Sequence, residues 1–247
     1  MLELFFGTTN AGKLRELRRL VAGVPVRVIS PDELDRSLPD VVEDGRTFRE
    51  NAEKKAAAYA SFATRHALAD DSGLCVDALA GAPGVHSARW SELEAGLASP
   101  ACGLTAAADR ERGAELSRAA RDEANNDKLL RALEGREGAQ RDGAYVAVLA
   151  LAAPDGRILA AVEGTCRGRI GHVQLGKNGF GYDPLFVPEV ELAQLRQPVA
   201  GAPRTIRPPR TMAELEPAEK DALSHRGAAF RALRPILLQL AFDKTRR

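Results

Sequence analysis

The first thirteen residues constrain the fold more than any other part of the chain. Leu2 to Phe6 is a short apolar run that stops at Gly7, and from Lys13 to Val21 the residues Leu14, Leu17, Leu20 and Val21 recur at helical spacing. Val24 to Ile29 reads as a second strand. Strand, loop, helix and strand in that order open an α/β fold. The loop itself, Gly7-Thr8-Thr9-Asn10-Ala11-Gly12-Lys13, sets small residues at a helix N-terminus, where backbone N–H groups lack partners within the helix and favour an anion. Lys13 adds a full positive charge there. The pattern satisfies the G-x-x-x-x-G-K of nucleotide-hydrolysing P-loops, but Leu14 stands where that motif needs Ser or Thr for magnesium. A plainer reading competes, in which Asn10 caps the helix and Lys13 is solvated.

Asp70-Asp71-Ser72-Gly73 follows a short apolar run, Ala67-Leu68-Ala69. Neighbours on a strand point to opposite faces, so the two acids share one role only if the strand has ended. The expected arrangement is a strand end feeding a tight turn, where a carboxylate faces a cleft and holds a hard cation such as magnesium. The alternative is an Asx or Ser turn that only caps the next element.

The rest of the chain alternates in the same style. Thr47 to Thr64 is alanine-rich, with Phe48, Ala52, Ala56, Tyr59 and Ala63 along one helical face. Ala106 to Leu133 has helical character, expected in two pieces broken near Asp122. Ala144 to Ala152 and Ile158 to Val162 flank Pro154-Asp155-Gly156, an antiparallel hairpin signal. Residues 197–210 are rich in proline and arginine and read as an exposed loop. A last helix, Pro217 to Ala241, is amphipathic through Leu223, Phe230, Leu233, Leu237 and Leu240, with Pro235 expected to kink or interrupt it. Lys244 to Arg247 reads as a frayed basic end.

Charge and cysteine content exclude several classes. Lys and Arg number 35 against 34 Asp and Glu, for a net charge of +1, which argues against nucleic acid held by general electrostatics and makes any phosphate site local. No run approaches the roughly 20 apolar residues of a membrane helix, and the N-terminus lacks the apolar core of a signal peptide. Cys75, Cys102 and Cys166 form no CxxC pair and read as buried thiols of a reducing, cytoplasmic compartment.

Seven blocks, in order and with compatible spacing, resemble the inosine triphosphate pyrophosphatase family, also called Ham1-like proteins. They are Thr8 to Lys13; Glu43-Asp44-Gly45 with Thr47-Phe48 and Glu50-Asn51-Ala52; Ala69 to Leu74; Gly81 to Val85 with Ser87-Ala88-Arg89; Asn125 to Leu130; Gly179 to Phe186; and Ser224-His225-Arg226. The chain departs from the family pattern at Trp90, where Tyr is usual, at Val42, where many relatives carry a second acid, and in longer segments at 91–124 and before Met212.

The resemblance implies a single domain over 1–247: an elongated mixed β-sheet flanked by helices, in two lobes with the active site in the groove between them. It implies hydrolysis of dITP, ITP or XTP to the monophosphate and pyrophosphate, with Mg2+, by a homodimer. Carried onto this chain, Asp71 is the general base and a metal ligand, and the second metal carboxylate is Glu43 or its alternative, Asp70, which stands beside Asp71. Thr8, Thr9, Asn10, Ala11, Gly12, Lys13, Lys55 and Ser72 hold phosphates. Phe180, Gly181, Tyr182, Asp183, Lys220, His225 and Arg226 form the base pocket, with Phe180 stacking on the purine and Arg226 or backbone N–H groups reading the C6 keto oxygen. Two rival readings are a P-loop NTPase or kinase, carried by Gly7 to Lys13 alone, and a pyrophosphatase for modified pyrimidine nucleotides.

Overall fold

The computed structural model describes residues 1–34, 36–93, 117–193 and 208–245. Most of the expected 91–124 insertion, most of the 197–210 loop and Cys102 lie outside them. Six strands form one sheet in the order β2-β1-β3-β4-β5-β6. β1 (Leu2–Phe6) runs parallel to both β2 (Val26–Ile29) and β3 (His66–Val76). β4 (Asp142–Ala152), β5 (Ile158–Ile170) and β6 (Phe186–Pro188) extend the sheet antiparallel from β3. The sheet is therefore mixed, as expected.

Both faces of its parallel end are covered, and β1 buries Leu2, Leu4 and Phe6 on one side and Phe5 on the other. On one face α1 (Ala11–Leu20) and α6 (His225–Thr245) bring Leu17, Phe230, Leu233 and Leu237 onto Leu2, Leu4 and Phe6. On the other, α2 (Phe48–Ala63) lays Ala52, Ala56, Ala60 and Ala63 against Phe5, Val148 and Ala150. The alanines let that helix approach closely. β3 has 11 residues, a length of about 36 Å at the usual strand rise. Its far end joins a third cluster, where Leu74, Tyr145, Ile170 and Phe186 pack with Trp90 and with Leu129 and Leu133 of the α3 (Arg118–Ala132) region.

Three expectations about breaks are corrected. β3 does not end at the acidic pair: it pairs with β4 through Asp70↔Leu149, Asp71↔Val148 and on to Val76↔Gly143. Gly73 serves close packing instead of a turn, since a Cβ there would sit 2.3 Å from Ser87 Oγ. Second, α3 begins after the Ser117 cap and runs unbroken through Asp122. Third, the last helix divides at Ser224, not Pro235. α5 (Pro217–Leu223) stops there, and Ser224 Oγ accepts the Gly227 N–H at 3.1 Å to cap α6. Pro235 lies inside α6 on an exposed stretch, where water can satisfy the freed carbonyl. A short helix, α4 (Glu189–Ala193), follows β6.

Candidate active site

A cavity of about 260 Å³ opens where the loop after β1, the middle of β3, the segment around Ser87–Arg89, the Phe180 loop and the α5–α6 junction meet. Every expected site residue lines it except Ala11 and Gly12. Ala11 is exposed at the first turn of α1. Gly12 lies under the Phe180 ring, and a Cβ would come 2.6 Å from a ring carbon.

The corner between β1 and α1 differs from the expected anion cradle. Asn10 Oδ1 accepts the N–H groups of Gly12 at 2.9 Å and Lys13 at 3.3 Å. Those two amides are taken by the helix cap, as in the plainer reading of Asn10. Lys13 is not solvated either: its ammonium pairs with Asp70.

Because β3 continues, Asp70 and Asp71 face opposite ways. Asp70 accepts from Arg226 Nε at 2.7 Å and from Ser72 Oγ at 2.9 Å, besides Lys13. Burial alone would raise its carboxyl, but Arg226 and Lys13 hold it well below the usual carboxylate value. The same network runs on through Glu16, a residue that sequence reasoning missed. Arg226 also pairs with Glu16, and Lys220 Nζ bridges Glu16 at 2.8 Å and Asp183 at 2.5 Å. Burial opposes ionisation of Glu16, yet Arg226 and Lys220 bring its pKa down to about 2. Six buried or nearly buried charges thus alternate in sign from Lys13 to Asp183. The only signal for Glu16 in the sequence is its position three residues after Lys13, on the same helical face.

Asp71 has poorer compensation. Lys55 Nζ donates to its Oδ1 at 2.9 Å and Asn51 Nδ2 to its Oδ2 at 3.3 Å, but Lys55 is shared with Glu43 at 3.2 Å and the Asp70 carbonyl at 2.9 Å. Burial pushes the Asp71 carboxyl up to about 6, Lys55 opposes this, and the nearby Glu43 charge adds to it. Glu43, although burial works against it, is held below its ordinary value by Lys55. Lys55 stays protonated, its pKa raised by both acids against the effect of burial. Among the described residues no three His, Cys, Asp or Glu side chains converge as a metal site. Two carboxylate groups on a cavity wall nevertheless suit magnesium, which takes one or two carboxylates and completes its shell with waters and substrate phosphates. Both oxygens of Asp70 are already engaged by cations and a hydroxyl.

At the other end, Asp183 Oδ2 accepts the Phe180 N–H at 2.9 Å. The Phe180 ring lies 4.8 Å from Lys220 Nζ and 5.8 Å from Arg226 Cζ. Tyr182 packs into the core while its hydroxyl donates to the Ser87 carbonyl at 3.0 Å. His225 stacks on Tyr145, centroids 4.6 Å apart and planes at 11°. Burial and the Arg226 charge push its pKa down to about 3, so the imidazole is neutral, and its buried Nδ1 has no protein partner. Arg226, expected to read the base, is 1% exposed and spends most of its donors on Asp70, Glu16 and Ser72. Arg89, Arg118, Asp122 and Tyr145 also line the cavity and had no role assigned from the sequence.

Comparisons with known proteins extend over nearly the whole chain. The model of the Ham1 family matches residues 4–236. A dITP/XTP pyrophosphatase of Anaeromyxobacter dehalogenans is 63% identical over 241 residues, covering 97% of this chain and 99% of the relative. One from Streptomyces avermitilis is 40% identical over 242 residues, covering 97% and 99%. The solved structure of a HAM1 protein from Coxiella burnetii superposes with a TM-score of 0.70 at 33% identity, covering 97% of this chain and all of that one.

Proposed function

The chain belongs to the Ham1 family, and from that premise we propose that it hydrolyses dITP, ITP and XTP to the monophosphate and pyrophosphate, clearing deaminated purines from the nucleotide pool. The observation that carries this reading is the Asp71 side chain, a buried carboxyl raised to about 6 on the wall of a cavity rich in cations. A carboxylate placed on the cavity wall to take a proton from water is what a hydrolytic attack on an anhydride uses.

In this reading the purine stacks on Phe180, and the triphosphate runs toward Lys13 and Lys55. Asp71 accepts the proton of the attacking water as the bond between the α and β phosphates breaks. Lys13 and Lys55 offset the charge that grows on the phosphate oxygens. Asp71 and Glu43 would hold Mg2+, which supplies charge neutralisation and lowers the pKa of bound water. Asp70 stays outside that pair and anchors Arg226 and Lys13. Selectivity arises at the base end, where Lys220 and neutral His225 line the pocket, while Arg226, anchored to Asp70 and Glu16, holds the charges around them in place. A C6 keto oxygen accepts from such donors; the amino group of adenine opposes them, and each buried donor left unpaired costs about 1–3 kcal/mol.

The same premise extends to a homodimer in the cytoplasm. The two described cysteines, both free thiols, fit that compartment, and the near-neutral charge fits a small-molecule substrate better than nucleic acid. The test is one assay: deoxyinosine, xanthosine, adenosine and guanosine triphosphates are incubated with and without magnesium, and the products identified by phosphorus NMR. Inosine and xanthosine substrates should yield pyrophosphate only with the metal. Orthophosphate from ATP as the main product would overturn the reading.

A further inference from the structure

Phe180 is the flat surface on which the proposed purine rests, so whatever fixes its ring fixes the base. The residue before the turn is anchored by Asp183, as described, but the residue after it is not held by packing. Gly181 adopts φ +62°, and a Cβ built there would meet nothing within 4 Å. Among the described residues, its N–H and its carbonyl are held by hydrogen bonds from α3. Asp122 Oδ2 accepts the Gly181 N–H at 2.9 Å, and Asn126 Nδ2 donates to the Gly181 carbonyl at 3.1 Å. The two side chains lie four residues apart, one turn along one face of the helix.

The same helix grips the opposite wall. Asn125 Oδ1 accepts the Ser91 N–H at 2.7 Å, while its Nδ2 donates to the carbonyls of Ser87 and Ala88, each at 3.3 Å. Tyr182, next to Gly181, reaches that Ser87 carbonyl as well. Both walls of the base end are therefore tied by hydrogen bonds to one helix.

We propose that Asp122 and Asn126 are positioning residues: by clamping the Gly181 peptide from both sides they set the Phe180 ring, and so govern purine affinity and base discrimination, not turnover. The proposal rests on the functional reading above. Asp122 acts as an acceptor, so an amide oxygen at the same place serves as well as a carboxylate.

The experiment compares wild type, Asp122→Ala and Asp122→Asn in steady-state hydrolysis of dITP and dATP, in calorimetric binding of inosine monophosphate and of tripolyphosphate, and in thermal melting. Asp122→Ala should raise KM for dITP roughly tenfold, the effect of one lost hydrogen bond, with kcat within about twofold. It should weaken inosine monophosphate binding similarly, leave tripolyphosphate binding unchanged and narrow the dITP/dATP preference. Asp122→Asn should restore KM to near the wild-type value. Asn126→Ala, a second route to the same loop, should raise KM in the same direction. Equal loss of both ligands, a fall in kcat with KM unmoved, or an Asp122→Asn protein as impaired as Asp122→Ala would each overturn the clamp. If the wild type released no pyrophosphate from dITP, the functional reading would fall, while the inosine monophosphate titrations would still decide the clamp.

Discussion

Asp70 and Asp71 are the same side chain at adjacent positions, buried to the same degree at 5% and 6% exposure, yet they ionise in opposite directions from their ordinary value. Asp70 faces two cations and a hydroxyl, and its neighbours extend through Glu16 and Lys220 to Asp183. Asp71 faces one ammonium that it shares with Glu43. Burial penalises both; two cations outweigh it at Asp70, and a share of one does not at Asp71. The difference teaches that one face of β3 is built to hold a shape, and the other to hold a proton that can leave.

The largest effect should come from removing the reactive side. Asp71→Asn is expected to lower kcat by about 10²–10⁴-fold, the usual contribution of a general base, without lowering the melting temperature; a variant that retained turnover would break the assignment. Next in size is Asp70→Asn, which leaves Arg226 and Lys13 buried with too little negative charge. It should cost about 3–5 kcal/mol in urea unfolding at neutral pH, whereas a cost below about 1 kcal/mol would mean that this face is not structural.

The third test reads both faces in one titration. Asp71 has a folded pKa raised from 3.8 to about 6, so its ionisation costs stability in full above the folded value and nothing below the unfolded one. Without metal, Asp71→Asn should therefore gain on the wild type as pH rises from about 4 to about 6, by up to ~3 kcal/mol. The Asp70 pKa is depressed, so its contribution is present above the unfolded value and is lost as pH falls through the folded one. A gap between wild type and Asp71→Asn that ignores pH would erase the contrast. The smallest effect sharpens it. Gly12→Ala presses on the Phe180 ring, which touches the Asp70 network but not Asp71. An overpacking cost of about 1 kcal/mol predicts a KM roughly fivefold higher, with the pH profile of kcat unmoved; a shifted profile would show that the faces are coupled.

The α/β opening was legible because strand and helix periods follow each other cleanly from Leu2 to Ile29, and the structure places β1, α1 and β2 there with ends shifted by about two residues. The acidic pair was misread as a strand end because Asp-Ser-Gly carries strong local turn chemistry. What overrules it is β4, whose partner residues lie more than seventy positions away, and local propensity carries no record of such a partner. Glu16 was passed over for a related reason. A sequence gives the charge of a side chain but not how many opposite charges surround it, and here that number separates an anchored Arg226 from one free to read a base. Pro235 misled because its effect depends on which side of the helix meets water.

The pairing of β3 with β4 shows no register shift along ten residue pairs, from Ala67↔Ala152 to Val76↔Gly143. This has a consequence for how the gene can change. A deletion or insertion of one codon ahead of Asp70 that slid the strand by one place would put Asp71 in the anchoring slot and Ser72 in the reactive one, or Asp70 in the reactive slot and Ala69 in the anchoring one. Either way an acid survives in one slot and vanishes from the other. Doubling the aspartate offers no insurance against a frame error in the protein, so length in this strand should be far less free to drift than length in the loops around it.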